Sequence, residues 1–362
     1  LHLCNLKFFK KFAKSFDEDP PRLNMYFKEL KLFKKIRRED FSMNMNGMEY
    51  FNTSKVSDRI AREDLPLVIG EIENENKFEV GVAKKWYKSH KEEVCAIVDI
   101  VKEKKLSLSN PDVTQFDLAV MDSVYTLAVS GIMRFTPEDV ARIMSGNLEQ
   151  NLTPKKIKEV KESIEKLSFI RLTIDYTDEM IARGEVKPGK RTFELESYMV
   201  PVRKIEIKSR NNQTKLTGYQ LLEMPILYQY AEKTHQIAGV PLEILNTPSI
   251  GDTNDVIVIK RALIRRIEAI KNPRNSIVSE SIIYERVDHT TGQITGFFAK
   301  LGFFESDSSN KKQWNKKRAA LHKTVISILD DFKEKGYIAG YELVREGEHA
   351  TAKINGVKII TN

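Results

Sequence analysis

The sequence predicts an α+β protein, with two similar units of helices followed by a strand hairpin and an N-terminal extension ahead of them. Three observations lead there. From about position 114 apolar residues recur at spacings of three and four, the signature of amphipathic helices. Each helical run closes in short stretches that alternate with period two, as half-buried strands do. The pattern occurs once before and once after a break at 211–250, which divides the chain into 1–64, 65–112, 113–210, 211–250 and 251–362.

Positions 1–42 alternate phenylalanine and leucine with lysine and begin on Leu1. Lysines interrupt every apolar run, so no secretory apolar core forms. An amphipathic, membrane-touching segment and a non-native or weakly ordered leader are the readings left, with Met43, Met45 or Met48 as candidate starts. Positions 43–64 are polar and read as mobile, so 1–64 is expected to be a leader and mobile extension. Strand-like pieces ("LPLVIG", "KFEVGV", "VCAIVDIV") make 65–112 a strand-rich extension.

In the first unit, "TQFDLAVMDSVYTLAVSG" sets Phe116, Val120, Val124 and Leu127 on one helical face and stops at Gly131. "RFTPEDVARIMSG" opens a second helix, with Thr136 as cap, Pro137 at the first helical position and Asp139 completing a capping box; Gly146 ends it. "LTPKKIKEVKESIEKLSFI" opens a third on Thr153 and Pro154, with Ile157, Val160, Ile164 and Leu167 as its buried stripe. "FIRLTIDYT" follows as a strand, and "RTFELESYMV" and "VRKIEIKS" are expected to return beside it. "ARGEVKPGK" lacks phosphate-loop glycine spacing and reads as the loop between them. Three short helices and a hairpin is the order of a winged helix-turn-helix domain, with the third helix as candidate recognition helix and the strands as wing.

The segment 211–250 reads as a linker carrying a strand and a helix, "MPILYQYAEKTHQI". After it, "NDVIVIKRALIRRIEAIKN" carries Ile259, Leu263, Ile267 and Ile270 on one side. "SIVSESIIYERV" reads as a short amphipathic helix, and "DHTTGQITGFFAKLGFFESDSS" as a connection. A long helix from about Lys312 to Lys335 buries Trp314, Leu321, Val325, Ile328 and Phe332, and "GYIAGYELVRE" with "ATAKINGVKII" forms the closing hairpin. The likeness of "SIEKLSFIRLTIDY" to "SILDDFKEKGYIAGYEL" suggests a duplicated unit. The predicted fold is therefore two winged helix-turn-helix domains in tandem.

No enzyme site emerges. Cys4 and Cys95 are the only cysteines, which excludes a disulfide framework and a thiolate metal site. No histidine lies within four residues of another, no Walker-type loop occurs, and no serine has a nucleophile-elbow context. The carboxylate pairs Asp117/Asp122 and Asp330/Asp331 read as solvated faces. The expectation is a cytoplasmic, non-enzymatic protein with no cofactor, no metal and no stable membrane association.

Charge carries the functional reading. The formal net charge is +8, but positions 1–42 hold eleven Lys and Arg against six Asp and Glu, which leaves +3 for the rest. Distribution therefore matters more than total. The first candidate recognition helix gathers Lys155, Lys156, Lys158 and Lys161, offset by Glu159 and Glu162. The second opens on "KKQWNKKRAALHK", where Lys311, Lys312, Lys316, Lys317, Arg318 and Lys323 meet no acidic residue. Crowding six cations costs self-repulsion that a polyanion relieves. Lysines here suit phosphates, while Asn315, Lys316 or Arg318 suit base edges. Wing positions Arg191, Arg203 and Lys204 in the first unit, and Lys353 and Lys358 in the second, add cations.

This order of elements, carried by "FDLAVMDSVYTLAVSG…FTPEDVARIMSG…TPKKIKEVKESIEKLSFIRLTIDY" and "KKRAALHKTVISILDDFKEKGYIAGYEL", resembles the tandem winged-helix replication initiators of plasmids and mobile elements over roughly 115–360. The resemblance implies binding to repeated origin sites in double-stranded DNA, self-association in a monomer–dimer equilibrium, and recruitment of host replication proteins, without nuclease activity. A transcriptional regulator with the same folds and a non-enzymatic protein-interaction module are the alternatives. The long wing and linker from 175 to 250 and the extra material at 1–110 depart from the family's pattern.

Overall fold

The computed structural model describes residues 48–61, 82–88, 93–99, 113–189, 193–208, 214–272, 278–287, 294–347, 349 and 352–362. The expected leader at 1–42 and the strand-like "LPLVIG" lie outside them. The architecture is mixed helix and sheet, as the α+β reading requires.

The chain enters through β1 (Tyr50–Ser54) and α1 (Lys55–Arg59). The sequence reading of 43–64 as mobile does not hold for 48–61. Phe51, Val56, Ile60 and Ala61 are fully buried. The polar residues that suggested mobility find partners inside: Thr53 Oγ1 donates to Asp122 Oδ2 at 3.0 Å, and Ser57 Oγ donates to the Leu227 carbonyl at 3.0 Å. A buried hydroxyl with a partner costs little, so a polar composition is compatible with a core position.

A first group of helices follows. α2 (Gln115–Val129), α3 (Pro137–Ser145) and α4 (Pro154–Leu167) pack against one another. Their starts are capped as the sequence predicts for α3 and α4: Thr136 and Asp139 form a reciprocal capping box, and Thr153 accepts from the Lys156 amide. α2 adds a second box, Thr114 with Asp117. Gly146 ends α3 at φ 73°, and a Cβ there would lie 2.5 Å from the Asn246 amide nitrogen, so both conformation and space demand glycine. α2 is buried nearly all round, because β1 and α7 (Asn254–Lys271) cover the sides that α3 and α4 leave open.

Two sheets flank this group. In the first, β2 (Val82–Lys88), β3 (Glu93–Asp99), β5 (Ile170–Asp175) and β6 (Glu194–Tyr198) run antiparallel in that order. β3 pairs with β5 from Glu93↔Asp175 to Val98↔Ile170, so the strand-rich extension widens the sheet of the first unit. A short helix, α5 (Thr177–Ala182), sits between β5 and β6 where the sequence suggested loop alone. The second sheet holds β4 (Arg134–Phe135), β8 (Thr214–Leu221) and β7 (Val202–Lys208). The expectation that "VRKIEIKS" returns beside β5 is therefore wrong. Met199 and Val200 are fully buried and bond back to Ile170 and Leu167, and the chain turns at Pro201 before β7 begins.

The segment 211–250 is no mere linker. α6 (Ile226–Lys233) buries Ile226, Leu227, Tyr228 and Tyr230, and Tyr228 stacks on Tyr125 with ring centroids 3.8 Å apart. β9 (Ile237–Pro241) pairs with β1 from Tyr50↔Pro241 to Ser54↔Ile237. The apolar faces of this stretch complete the first core.

The second group begins with α7, whose Ile259, Leu263 and Ile267 are fully buried. Then come β10 (Ser281–Ile283), β11 (Arg286–Val287), β12 (Ile294–Thr295), α8 (Phe297–Lys300), α9 (Lys311–Glu334), β13 (Gly340–Arg345) and β14 (Ile354–Ile360). Within "SIVSESIIYERV", 281–283 and 286–287 are strand, not helix, and Ile282 and Tyr284 are buried with period two. The second helix lies instead in the presumed connection, at α8. β14 is the central strand of the sheet, between β10 and β13. Gly356 permits that pairing, since a Cβ would sit 2.4 Å from the Ile282 carbonyl oxygen.

α7 also carries three buried cations. Arg261 pairs with Asp122 of α2. Arg265 reaches Asp58 of α1 at 3.0 Å and donates to the side-chain oxygen Oε1 of Gln115 of α2 at 2.9 Å. Asp117 and Asp122, expected on a solvated face, are both buried: Ser163 donates to Asp117 at 2.6 Å and Lys166 pairs with it. Residues 44–206 and 217–362 form one compact unit, and this ionic seam runs through it.

Candidate nucleic-acid interface

Asn310 starts α9. Its side chain accepts from the Gln313 amide at 2.9 Å, and no acidic residue occupies the first turn. One face of the helix is fixed by Trp314, Leu321, Val325, Ile328, Leu329 and Phe332, all buried as core residues. That burial turns Lys312, Asn315, Lys316, Ala319, Ala320 and Lys323 outward, and each is exposed. Spacings of three and four place them on a continuous strip. The two alanines keep its middle low, so the backbone there can be closely approached.

Among the described residues, Lys311, Lys312, Lys316 and Lys323 form no ion pair. Lys317 is half-buried, its ammonium 5.2 Å from the centre of the Phe303 ring. Arg318 is tied to Glu285 at 2.9 Å. Sequence reasoning missed Glu285, because nothing in its local context points to a helix that starts 26 positions later. Asp330 and Asp331, farther along α9, differ from each other: Asp330 is exposed and accepts from Tyr341, while Asp331 pairs with Lys335 at 2.7 Å.

The first candidate recognition helix differs. Lys155 pairs with Glu159 at 3.8 Å and Lys158 with Glu162 at 3.7 Å, both along the helix. Lys156 turns inward: its ammonium donates to Asn254 Oδ1 at 2.5 Å and lies 5.2 Å from the Phe116 ring centre. Burial holds this amine below the usual lysine range. Lys161 is half-buried. The start of α4 is thus engaged by the start of α7, with Gln150 donating to Asp252 at 2.7 Å beside it.

The hairpin cations are also occupied. Lys353 pairs with Glu346 at 2.9 Å and Lys358 with Glu280 at 3.5 Å. Lys204 lies between Glu165 and Glu206, at 2.9 and 3.0 Å, and Arg203 is half-buried with partners of its own. Arg191 lies outside the described residues. Among the described residues, exposed cations without an ion pair therefore gather on the strip of α9.

Among the described residues no cluster of three or more His, Cys, Asp and Glu could hold a metal ion. No described helix is long and apolar enough to cross a membrane.

No family model matches this chain, and no curated protein matches it. Solved structures that match include domains 2 and 3 of RctB. A selenomethionine-derivative crystal structure aligns over 84% of this chain and 97% of that one, at 10% identity and a TM-score of 0.37. A second structure of RctB domains 2–3 aligns over 79% and 93%, at 10% identity and a TM-score of 0.36.

Proposed function

We propose that this protein binds double-stranded DNA through the N-terminal half of α9, in the manner of a non-catalytic replication initiator that reads repeated origin sites. The observation that carries this is the exposed strip Lys312–Asn315–Lys316–Lys323. It presents cations with no ion pair among the described residues, around a low alanine centre.

The order of elements supports the same reading. α7, β10, α8, α9, β13 and β14, with β10 beside β14, follow the helix–strand–helix–helix–hairpin plan of a winged helix, in which the third helix enters the major groove. The first group departs from that plan, because β4 pairs with β8 and the basic residues of α4 are largely engaged within the chain. We assign the principal DNA contact to the second group, and to the first the roles of scaffold and of contact with partner proteins or a second copy.

Neutralising Lys311, Lys312 and Lys316 together to Gln tests this by fluorescence anisotropy on duplex DNA. Affinity should fall at least about tenfold, and the salt slope should flatten by about 2.7 if all three meet phosphates. The double variant Lys155→Gln, Lys158→Gln should bind as wild type. Equal losses in the two variants, or none in the first, would discard the assignment. Footprints on tandem direct repeats favour the initiator role, and a palindromic operator favours a transcriptional regulator. Absence of any salt-dependent DNA binding would leave the protein-interaction module.

A further inference from the structure

The start of α9 holds three side-chain amides, and two of them serve the helix itself. Asn310 Oδ1 accepts from the Gln313 backbone amide at 2.9 Å. Gln313 Oε1 accepts in return from the Ser309 backbone amide at 3.1 Å and from Ser309 Oγ at 2.5 Å. Asn315 is exposed and has no hydrogen-bond partner among the described residues. Near the N-terminus of a recognition helix, such an amide keeps both its donor and its acceptor for a ligand.

The neighbours narrow what that ligand is. Arg318 also suits a base edge, but Glu285 draws it to the flank of the helix. Glu285 is anchored in turn: its carbonyl accepts from Asn355 Nδ2 at 3.1 Å, and the Tyr284 amide donates to the Asn355 carbonyl at 2.8 Å. Ala319 lies one turn beyond Asn315 on the same face, with Ala320 next to it, and both are exposed. Lys312, Lys316 and Lys323 stand around this neutral patch. An asparagine amide pairs bidentately with N6 and N7 of adenine, and an alanine methyl packs on the 5-methyl of thymine. Guanine presents two acceptors in the major groove and cytosine carries no methyl, so a G·C pair meets neither feature fully.

Resting on the reading of α9 as the helix that meets duplex DNA, we propose that Asn315 and Ala319 are its specificity-determining pair and read adjacent A·T base pairs. Asn315 takes the edge of an adenine, Ala319 covers a thymine methyl, and the surrounding lysines hold phosphates.

The test uses the full chain and makes the first change in the DNA, which leaves the protein fold untouched. A binding duplex is selected from a random pool and sequenced. Each adenine in it is then replaced by 7-deazaadenine, which lacks N7, and each thymine by uracil, which lacks the methyl. At one adenine the affinity should fall by about fivefold or more, and at a neighbouring thymine by about threefold. Asn315→Ala should bind the parent duplex more weakly and become indifferent to 7-deazaadenine there, while keeping its response to uracil and its salt slope. Ala319→Gly should erase the uracil effect and spare the adenine one. Indifference of wild type to every 7-deazaadenine and uracil overturns the proposal, as does an adenine effect that Asn315→Ala retains. A loss seen only with 7-deazaguanine also overturns it, giving the reading to Lys316 or Arg318. All three results leave α9 as the DNA contact, whereas wild type that binds no duplex overturns both readings.

Discussion

Lys260 is fully buried on α7, where its ammonium donates to the Leu245 carbonyl and, at 2.9 Å, to Thr247 Oγ1, with Asp252 at 3.5 Å. Burial pulls its pKa down to about 8. The unfolded chain, with a lysine near its ordinary value of about 10.4, then binds more protons between those two pH values. Stability should rise with pH across that window, and below pH 8 the cost of keeping the charged amine buried is fully present. We expect wild type to gain in urea midpoint relative to Lys260→Met between pH 7.5 and 9.5. A parallel pair of curves would refute this. Buried tyrosines such as Tyr337, whose pKa burial raises, act in the opposite sense only above about pH 10. Residues such as Lys260, Arg261 and Arg265 were illegible in the sequence. The stripe Ile259–Leu263–Ile267 marks one buried face of α7 correctly, but periodicity does not reveal that a second face is covered too. The carboxylates opposite Arg261 and Arg265 come from α2 and α1, which are remote in sequence, while Lys260 faces Asp252 in the loop just before α7.

At the scale of elements, legibility followed the strength of local signals. α9 was readable almost to the residue, because five large apolar residues at helical spacing leave one solution for its buried face. The exposure of Lys311, Lys312, Asn315, Lys316 and Lys323 was readable for the same reason, whereas the contacts of Lys317 with Phe303 and of Arg318 with Glu285 were not. The caps of α3 and α4 were readable from Thr-Pro pairs. β10 was not, since three residues of strand give too short a sample to separate period two from a helical turn. β1 and α1 were hidden by their polar residues, whose hydrogen bonds are long-range. The first turn of α9 allows a prediction of its own. Its lysines oppose the helix dipole, so the turn depends on Asn310. Asn310→Ala should cost about 1 kcal/mol. Amide exchange at 311–316 should quicken while 325–332 stays protected, and DNA affinity should fall with it. Unchanged exchange at 311–316 would show that the cap is dispensable.

For the whole molecule, α7 is the shared part: it belongs to the second group by its apolar stripe and to the first by Arg261 and Arg265. The reading of two similar units placed α2, α3, α4, α7 and α9, but it took β10 for a helix and missed the sheet pairings, since β10 pairs within its own group whereas β4 pairs with β8 beyond the first hairpin. A shared helix predicts one cooperative unfolding transition. Asp122→Asn leaves Arg261 buried without its counter-charge and should cost about 3–5 kcal/mol. The transition should stay single, with near-ultraviolet and far-ultraviolet dichroism shifting together; two separated steps would mean that the groups fold independently. The position of Trp314 has one more use. The chain holds two tryptophans, and this one is buried in the first turn of α9, directly beneath the basic strip. With Trp86→Phe, the remaining indole becomes the single tryptophan emitter, separable from the twelve tyrosines by red-edge excitation, at the proposed DNA contact. Its emission wavelength and quenching by iodide then provide a label-free optical readout of occupancy at that helix.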